Sequence, residues 1–273
     1  MQQLIIEAGR TEANYWRDLW RFRELFYFLA WRDILVRYKQ TVIGIAWALV
    51  RPLVTMVVFT IVFSRIAKLP SPSSAPYALL VMAAMLPWQF FATSLSEASN
   101  SLVGNSSLIS KIYFPRLIIP AGSLITAFVD FLITLTLLGA MMLWYGFHPD
   151  WKILLLPAFI ILVFTSSFGI GLWLCALNVE YRDFRHIVPF LVQFGLYISP
   201  VGFSSSIVPA KWQLLYSLNP MVGIINGFQW CLLRGEAPLG LSALVISFSV
   251  TTILCLSGIW YFRKTERTFA DVI

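Results

Sequence analysis

Apolar runs long enough to cross a membrane recur along the chain, near residues 42–66, 77–96, 117–145, 153–177 and 239–262. A helix needs about 20 apolar residues to cross bilayer hydrocarbon. There every backbone amide must find its partner within the protein, which leaves only helices and closed barrels. These runs are continuous rather than alternating, so barrel strands are excluded. Hydrophobic residues make up 59% of the 273, and charged residues only 12%, against about 25% charged in soluble domains. The pattern is that of an all-α polytopic membrane protein.

Charge sets the orientation. The stretch 32–52 passes from a basic, aromatic segment into the first run, with Arg32, Arg37 and Lys39 just ahead of it. Cytoplasmic flanks are enriched in Lys and Arg, so that end is expected inside. A shorter run over 186–200 supplies a further crossing, making six. With both termini inside, 14 of the 20 Lys and Arg residues fall in cytoplasmic segments and 5 outside, with Arg51 in the membrane. Ahead of the first span, Tyr15, Leu19, Phe22 and Phe26 recur at helical spacing beside Trp16 and Trp20, with Arg17, Arg21 and Glu24 opposite. That is the pattern of an amphipathic helix over 15–28 lying in the headgroup plane. The first thirty residues lack the clean apolar core of a cleavable signal peptide. Between Val201 and Pro238, prolines, glycines and serines interrupt apolar pieces too short to cross, which reads as a re-entrant hairpin on the outer side. The expected organisation is a cytoplasmic interfacial segment (1–41), a six-span domain (42–262) and a cytoplasmic tail (263–273).

Several chemistries are excluded. The net charge of +7 is spread at the ends of apolar runs, as topology charge is, and not along a nucleic-acid-binding stripe. Cys175, Cys231 and Cys255 lie in apolar context without metal-ligand spacing, and His148 and His186 are isolated. There is no catalytic signature and no G-x-x-x-x-G-K-[ST] phosphate loop. Uphill transport would therefore draw on an ion gradient or a separate ATPase.

Ionisable residues at membrane depth are the first functional candidates. Arg51 lies about ten residues into the first span and Asp130 about twelve into the third, which places both roughly 15–18 Å deep. Gly44, Trp47, Arg51, Thr55 and Val58 share one helical face, and Ser123, Thr126, Asp130 and Thr134 form a polar stripe on another. Either these faces line a water-accessible route, or Arg51 pairs with Asp130 or snorkels and the hydroxyls join helices. Glu97, near a membrane end, reads as an interface residue. In the loop after the second span, Leu108, Ile109, Ile112, Tyr113 and Phe114 cluster around Lys111. They form either a docking surface or a loop folded back on the bundle.

Motifs along nearly the whole chain are similar, in order, to those of one family. R-D-I-L-V-R-Y-K-Q-T-V-I-G-I-A-W from Arg32 is followed by N-S-S-L-I-S-K-I-Y-F-P-R-L-I-I-P from Asn105 and N-V-E-Y-R-D from Asn178. S-P-V-G-F, L-N-P-M and a terminal E-R-T-F-A-D-V-I complete the series. Together they resemble the permease subunits of bacterial ATP-binding-cassette exporters of polysaccharides such as O-antigen, teichoic acid or capsule. The resemblance implies a six-span homodimer in the inner membrane, joined to two copies of a nucleotide-binding subunit that hold the ATP and Mg, so that this chain binds no cofactor. It further implies that Leu108, Ile109, Lys111, Ile112, Tyr113, Phe114, Pro115 and Arg116 form a coupling helix in the ATPase. Glu180, Tyr181, Arg182 and Asp183 would make a second contact, and Ser199, Pro200, Asn219 and Pro220 an outer gate. For a sugar polymer, Trp47, Phe59, Phe63 and Trp88 are the expected stacking residues of the path, beside Arg51, Thr55 and Asp130. The alternatives are a drug or lipid exporter, an ion-coupled secondary transporter, which would need broken helices in both halves, or a membrane transferase, which would need a carboxylate or histidine cluster at one face.

Overall fold

The structure, a computed structural model, describes residues 15–39, 44–69, 74–236 and 239–269. The amino-terminal residues 1–14, the onset of the first span at 40–43, residues 70–73 and 237–238 and the last four residues lie outside the described residues. Among the described residues every regular element is a helix. In order they are α1 (Tyr15–Arg21), α2 (Arg23–Lys39), α3 (Gly44–Phe59) with a π-helical continuation (Thr60–Ile66), α4 (Tyr77–Gly104), α5 (Ser106–Ile109) and α6 (Ile118–Trp144). After a 3₁₀ turn (Trp151–Leu155) come α7 (Leu156–Glu180), α8 (Phe184–Ile198), α9 (Ala210–Ser217), α10 (Pro220–Leu232) and α11 (Leu241–Thr265).

Among the described residues five segments are long and apolar enough to cross a membrane: Ala46–Ile66, Tyr77–Gly104, Ile118–Trp144, Trp151–Glu180 and Leu241–Thr268. The run expected as a fifth span is the 15-residue α8, about 22 Å long and shorter than the ~30 Å hydrocarbon core. Pro200 and Gly202 follow it closely and stop the helix from lengthening. Other boundaries also move. The amphipathic helix breaks at Phe22 and then runs on to Lys39. The segment 100–104, which reads as turn, forms the last turns of α4. Its polar side chains donate back to the helix's own carbonyls: Asn100 Nδ2 to Ser96 O at 2.8 Å, Ser101 Oγ to Ala98 O at 2.7 Å and Asn105 Nδ2 to Ser101 O at 2.8 Å. Such back-bonding lets turn-forming residues sit at a helix end.

Bonds between loops show that the long helices alternate in direction. At one end Ser74 N–H and Oγ donate to Glu236 at 2.5 and 2.9 Å, Lys152 Nζ to Arg234 O at 2.8 Å, and Arg234 Nε to His148 O at 2.8 Å. At the other end Arg32 Nη2 donates to Asn105 Oδ1 at 2.9 Å, Arg116 N–H to Glu266 Oε1 at 2.7 Å, and Tyr15 Oη to Glu266 Oε2 at 2.9 Å.

The central element is α4. Its residues 79–88 are all buried, and it packs on α6 and α7, with α7 packed in turn on α11. Helices in lipid gain little from hydrophobicity and associate through close packing at small residues. Gly169 of α7 and Gly258 of α11 supply this: a Cβ on Gly169 would lie 2.5 Å from Cys255 Cα and would also crowd Leu254. The stretch 201–238, read as a re-entrant hairpin, contains the short helices α9 and α10. Residues of α10 are buried along nearly its whole length, against α4, α7 and α11. Pro220 opens it and Asn219 Oδ1 accepts from Met221 N–H at 3.0 Å, a cap that satisfies an orphan amide. By contrast α3 and α8 leave apolar faces bare, including Val54, Val57, Val58 and Ile61 on one and Phe190, Phe194 and Tyr197 on the other.

Gly169→Val is therefore expected to force α7 from α11 and to destabilise the protein by about 2 kcal/mol or more, as overpacking does. Gly139→Ala, where a Cβ meets nothing within 4 Å, is expected to be neutral. Unfolding of both variants in detergent micelles measures the difference.

Candidate functional site

On α4 the polar residues Gln89, Thr93, Glu97 and Asn100 recur every three or four positions, with Ser96 beside Glu97, and so share one face. They form a trail of about 16 Å. The α6 stripe Ser123, Thr126, Asp130 and Thr134 borders it, and two cavities open along the seam. The first, about 740 Å³, lies among α2, α4 and α6 and is lined by Arg32, Asp33, Glu97, Asn100, Ser123 and Thr126 among others. A second, about 230 Å³, includes Trp47 and Arg51 of α3, Gln89 and Thr93 of α4, and Asp130 and Thr134 of α6. Arg37 of α2 lines both.

A charge cluster stands where the two cavities meet. Arg37 pairs with Glu97 at 2.5 Å and with Asp130 at 3.2 Å, and Tyr38 Oη donates to Asp130 Oδ1. Burial opposes the charge on Arg37, but Glu97 and Asp130 more than offset it and hold its pKa above the ordinary guanidinium value. Burial, then the bond to Asp130, raises the pKa of Tyr38, so its hydroxyl remains a donor. The pairing considered between Arg51 and Asp130 is thus replaced: the cation on Asp130 is Arg37. Arg51 and Asp130 do line one cavity, and Arg51 makes no ion pair among the described residues. Arg37 reads in sequence as topology charge. The signal available was the pair of carboxylates in apolar helices, each of which requires a cation or a proton.

The other expected path residues separate. Trp47 is 60% exposed at the mouth of the smaller cavity. The Thr55 hydroxyl is turned to its own helix, donating to Arg51 O at 2.9 Å. Phe59 and Phe63 contact each other with centroids 5.4 Å apart, and Phe63 lies against Gly202. Trp88 is buried, and its ring is wedged against Gly195 of α8, where a Cβ would meet it at 2.7 Å. It lines neither of the two cavities.

The loop 108–116 also divides. Only the single turn α5 is helical, and residues 112–115 are not, so no continuous helix spans the segment. Ile109 and Phe114 are buried in a cluster with Leu102, Leu117, Phe262 and Phe269, and Pro115 is buried beside them. Leu108 is half-buried, while Lys111, Ile112 and Tyr113 are exposed. Arg116 donates its backbone N–H to the Glu266 carboxylate and its guanidinium to the Glu266 carbonyl. The segment thus folds back on the bundle through Ile109, Phe114 and Pro115 and leaves residues 111–113 between them exposed. At the same end Tyr181, Arg182 and Asp183 are exposed, and Glu180 accepts from Tyr261 Oη at 3.4 Å. Past α8, Asn219 Nδ2 donates to Ser199 Oγ at 3.0 Å, which ties the expected gate pair Ser199 and Pro200 to the other pair, Asn219 and Pro220; of the four only Asn219 is half-buried and not buried.

A family model described as "ABC-2 type transporter" matches residues 24–233. A protein of Myxococcus xanthus named "O-antigen export system permease protein RfbA" is 25% identical over 259 residues, 94% of this chain and 98% of that one. Two proteins of Klebsiella pneumoniae with the same name are 27% and 26% identical over 246 residues, 89% of this chain and 92% of each.

Arg37→Met would leave Glu97 and Asp130 facing one another without their cation. Glu97→Gln alone should be milder, and the double variant less damaged than the single losses combined. Because the pair is partly exposed, a double-mutant cycle in detergent is expected to give a coupling on the order of 1 kcal/mol.

Proposed function

This chain belongs to the ABC-2 type transporter family, and from that premise we propose that it is the permease subunit of an ATP-driven exporter moving a lipid-linked, O-antigen-like polysaccharide out of the cytoplasm. The observation that carries the substrate class is the name shared by relatives aligned along nearly the whole chain. A polar trail with Trp47 and Arg51 at its side suits a hydroxyl-rich polymer bearing an anionic linker. ATP hydrolysis falls to a separate subunit, and this chain holds no cofactor.

In this reading the protein is a multi-pass protein of the inner membrane with six crossings and both termini in the cytoplasm. The fifth crossing is α8 completed by the non-helical residues 199–202, since Gly202 O accepts from Tyr77 Oη at 2.6 Å at the outer end of α4. The segments α9 and α10 form the re-entrant pair beyond it. Residues 1–41 make the cytoplasmic interfacial segment, 42–262 the membrane domain and 263–273 the tail. Two copies pair through part of the apolar surface left bare on α3 and α8 and enclose the path between them. Trp47, Arg51, Thr55, Phe59, Phe63 and Asp130 border that path, with Trp88 supporting it from within. Ser199, Pro200, Asn219 and Pro220 close it on the outer side.

Two nucleotide-binding subunits dock on the opposite end, against Lys111, Ile112 and Tyr113 and against Tyr181, Arg182 and Asp183. Leu108, Ile109, Phe114, Pro115 and Arg116 anchor that surface to the bundle, as does Glu180. Short elements fixed beneath α4 and α6 can turn closure of the ATPase into movement of those helices.

A deletion strain tests the substrate. Loss of surface polysaccharide with accumulation of carrier-linked polymer inside the cell is expected; absence of polymer in both places would point to biosynthesis instead. Ile112→Asp and Tyr113→Ala test the docking surface. They should leave the folded permease in the membrane but reduce its co-purification with the ATPase subunit several-fold.

A further inference from the structure

The largest of the described cavities plays no part in the path above. It measures about 990 Å³ and lies where α1, the 113–116 segment and the end of α11 meet. Its wall carries four cations, Arg116, Arg263, Lys264 and Arg267, against two carboxylates, Asp18 and Glu266. Glu266 is already engaged by the Arg116 N–H at 2.7 Å and the Tyr15 hydroxyl at 2.9 Å. Positive charge is therefore in surplus at the rim.

The character of the cavity changes along α11. Leu256, Trp260 and Lys264 are spaced by four and share one helical face. Leu256 and Trp260 are more than 60% exposed, and the ammonium of Lys264 stands 5.2 Å from the Trp260 ring. Over about 12 Å the wall thus passes from an aliphatic side chain through an indole to a cation. Indoles favour the headgroup level of a membrane, and Arg263, stacked on Tyr15 at 4.6 Å, adds a second fixed cation at the same height. A cytosolic protein partner would be served by the charged rim, but it has no use for the aliphatic half.

We propose that this cavity is a binding site for an anionic glycerophospholipid, whose phosphoryl group sits among Arg263, Lys264 and Arg116 while an acyl chain runs along Leu256 and Ile259. The site ties α1 to the end of α11 through the lipid, at the membrane surface from which the ATPase-facing loop projects. It shares no lining residue with the two cavities of the polar trail.

The test uses the complete transporter, purified with its ATPase subunits and exchanged into phosphatidylcholine nanodiscs doped with phosphatidylglycerol. Retained lipid is then read by native mass spectrometry after mild release. Preferential retention of phosphatidylglycerol is expected. It should fall about 5-fold for Lys264→Gln, since each juxtamembrane cation contributes on the order of 1 kcal/mol, and further for Arg263→Gln with Lys264→Gln. Lys211→Gln, an exposed cation beside Trp212 near the other end of the bundle, should change nothing. The proposal is overturned if both lipids are retained equally, or if Lys211→Gln has the same effect as Lys264→Gln. Displacement of the lipid by millimolar inorganic phosphate would reassign the site to a free anion. Loss of the ATPase subunits in place of lipid would make it a protein interface.

Discussion

A polar group left without a partner in hydrocarbon costs several kcal/mol, and most of this structure is a response to that cost. Several hydroxyl side chains within the spans bond to their own helices, as Thr134 does to Asp130 O at 2.9 Å, Ser167 to Val163 O at 2.8 Å and Thr252 to Phe248 O at 2.9 Å, whereas the buried hydroxyls of Ser94, Thr126, Ser166 and Thr251 have no partner among the described residues. Where the chain abandons helix after α8, other protein covers it. Val201 is fully buried, Ser199 receives a bond from Asn219, and α10 fills the space against α4 and α11. The Gly223 amide, in the middle of α10, donates to Ser247 Oγ of α11 at 3.1 Å. The cap at Asn219 and the Ser247 hydroxyl thus supply partners at the start and in the middle of α10.

The same cost explains the Arg37, Glu97 and Asp130 cluster. Two carboxylates at membrane depth need a cation, and it comes from α2, an element that the sequence places outside the bilayer. The result joins three helices at one point. Through α5 and the 110–117 loop, α4 and α6 are also joined at their ends, and Arg116 fastens that loop to Glu266 at the end of α11. On the proposed function, force applied to Ile112 and Tyr113 reaches the polar trail through rigid connections at both levels.

The packing is uneven. In the most apolar part of the second span 83% of the residues are buried, against 11% in the first and 17% in the last. Helices α4, α6 and α7 hold a core that one chain completes by itself, and α10 plugs it. Helix α3 touches that core along one edge and presents the rest of its surface outward, where lipid or a second copy must meet it.

Five of the six expected membrane-spanning helices, the basic approach to the first of them and the exposed loop at Ile112 and Tyr113 were legible in the sequence, because they follow from run length, charge placement and apolar residues beside turns. These are local properties. Helix ends were less legible: Asn100 and Ser101 favour turns locally, and only the completed α4 offered them carbonyls to bond. The burial of Trp88 against Gly195, the division of residues 108–116 into buried and exposed members, and the choice of Arg37 over Arg51 as the partner of Asp130 could not be read at all. Each depends on which helices lie side by side, and the 93 positions separating Arg37 from Asp130 leave no periodic trace. Composition settled that the chain lives in a membrane; packing alone decided which of its polar residues meet there.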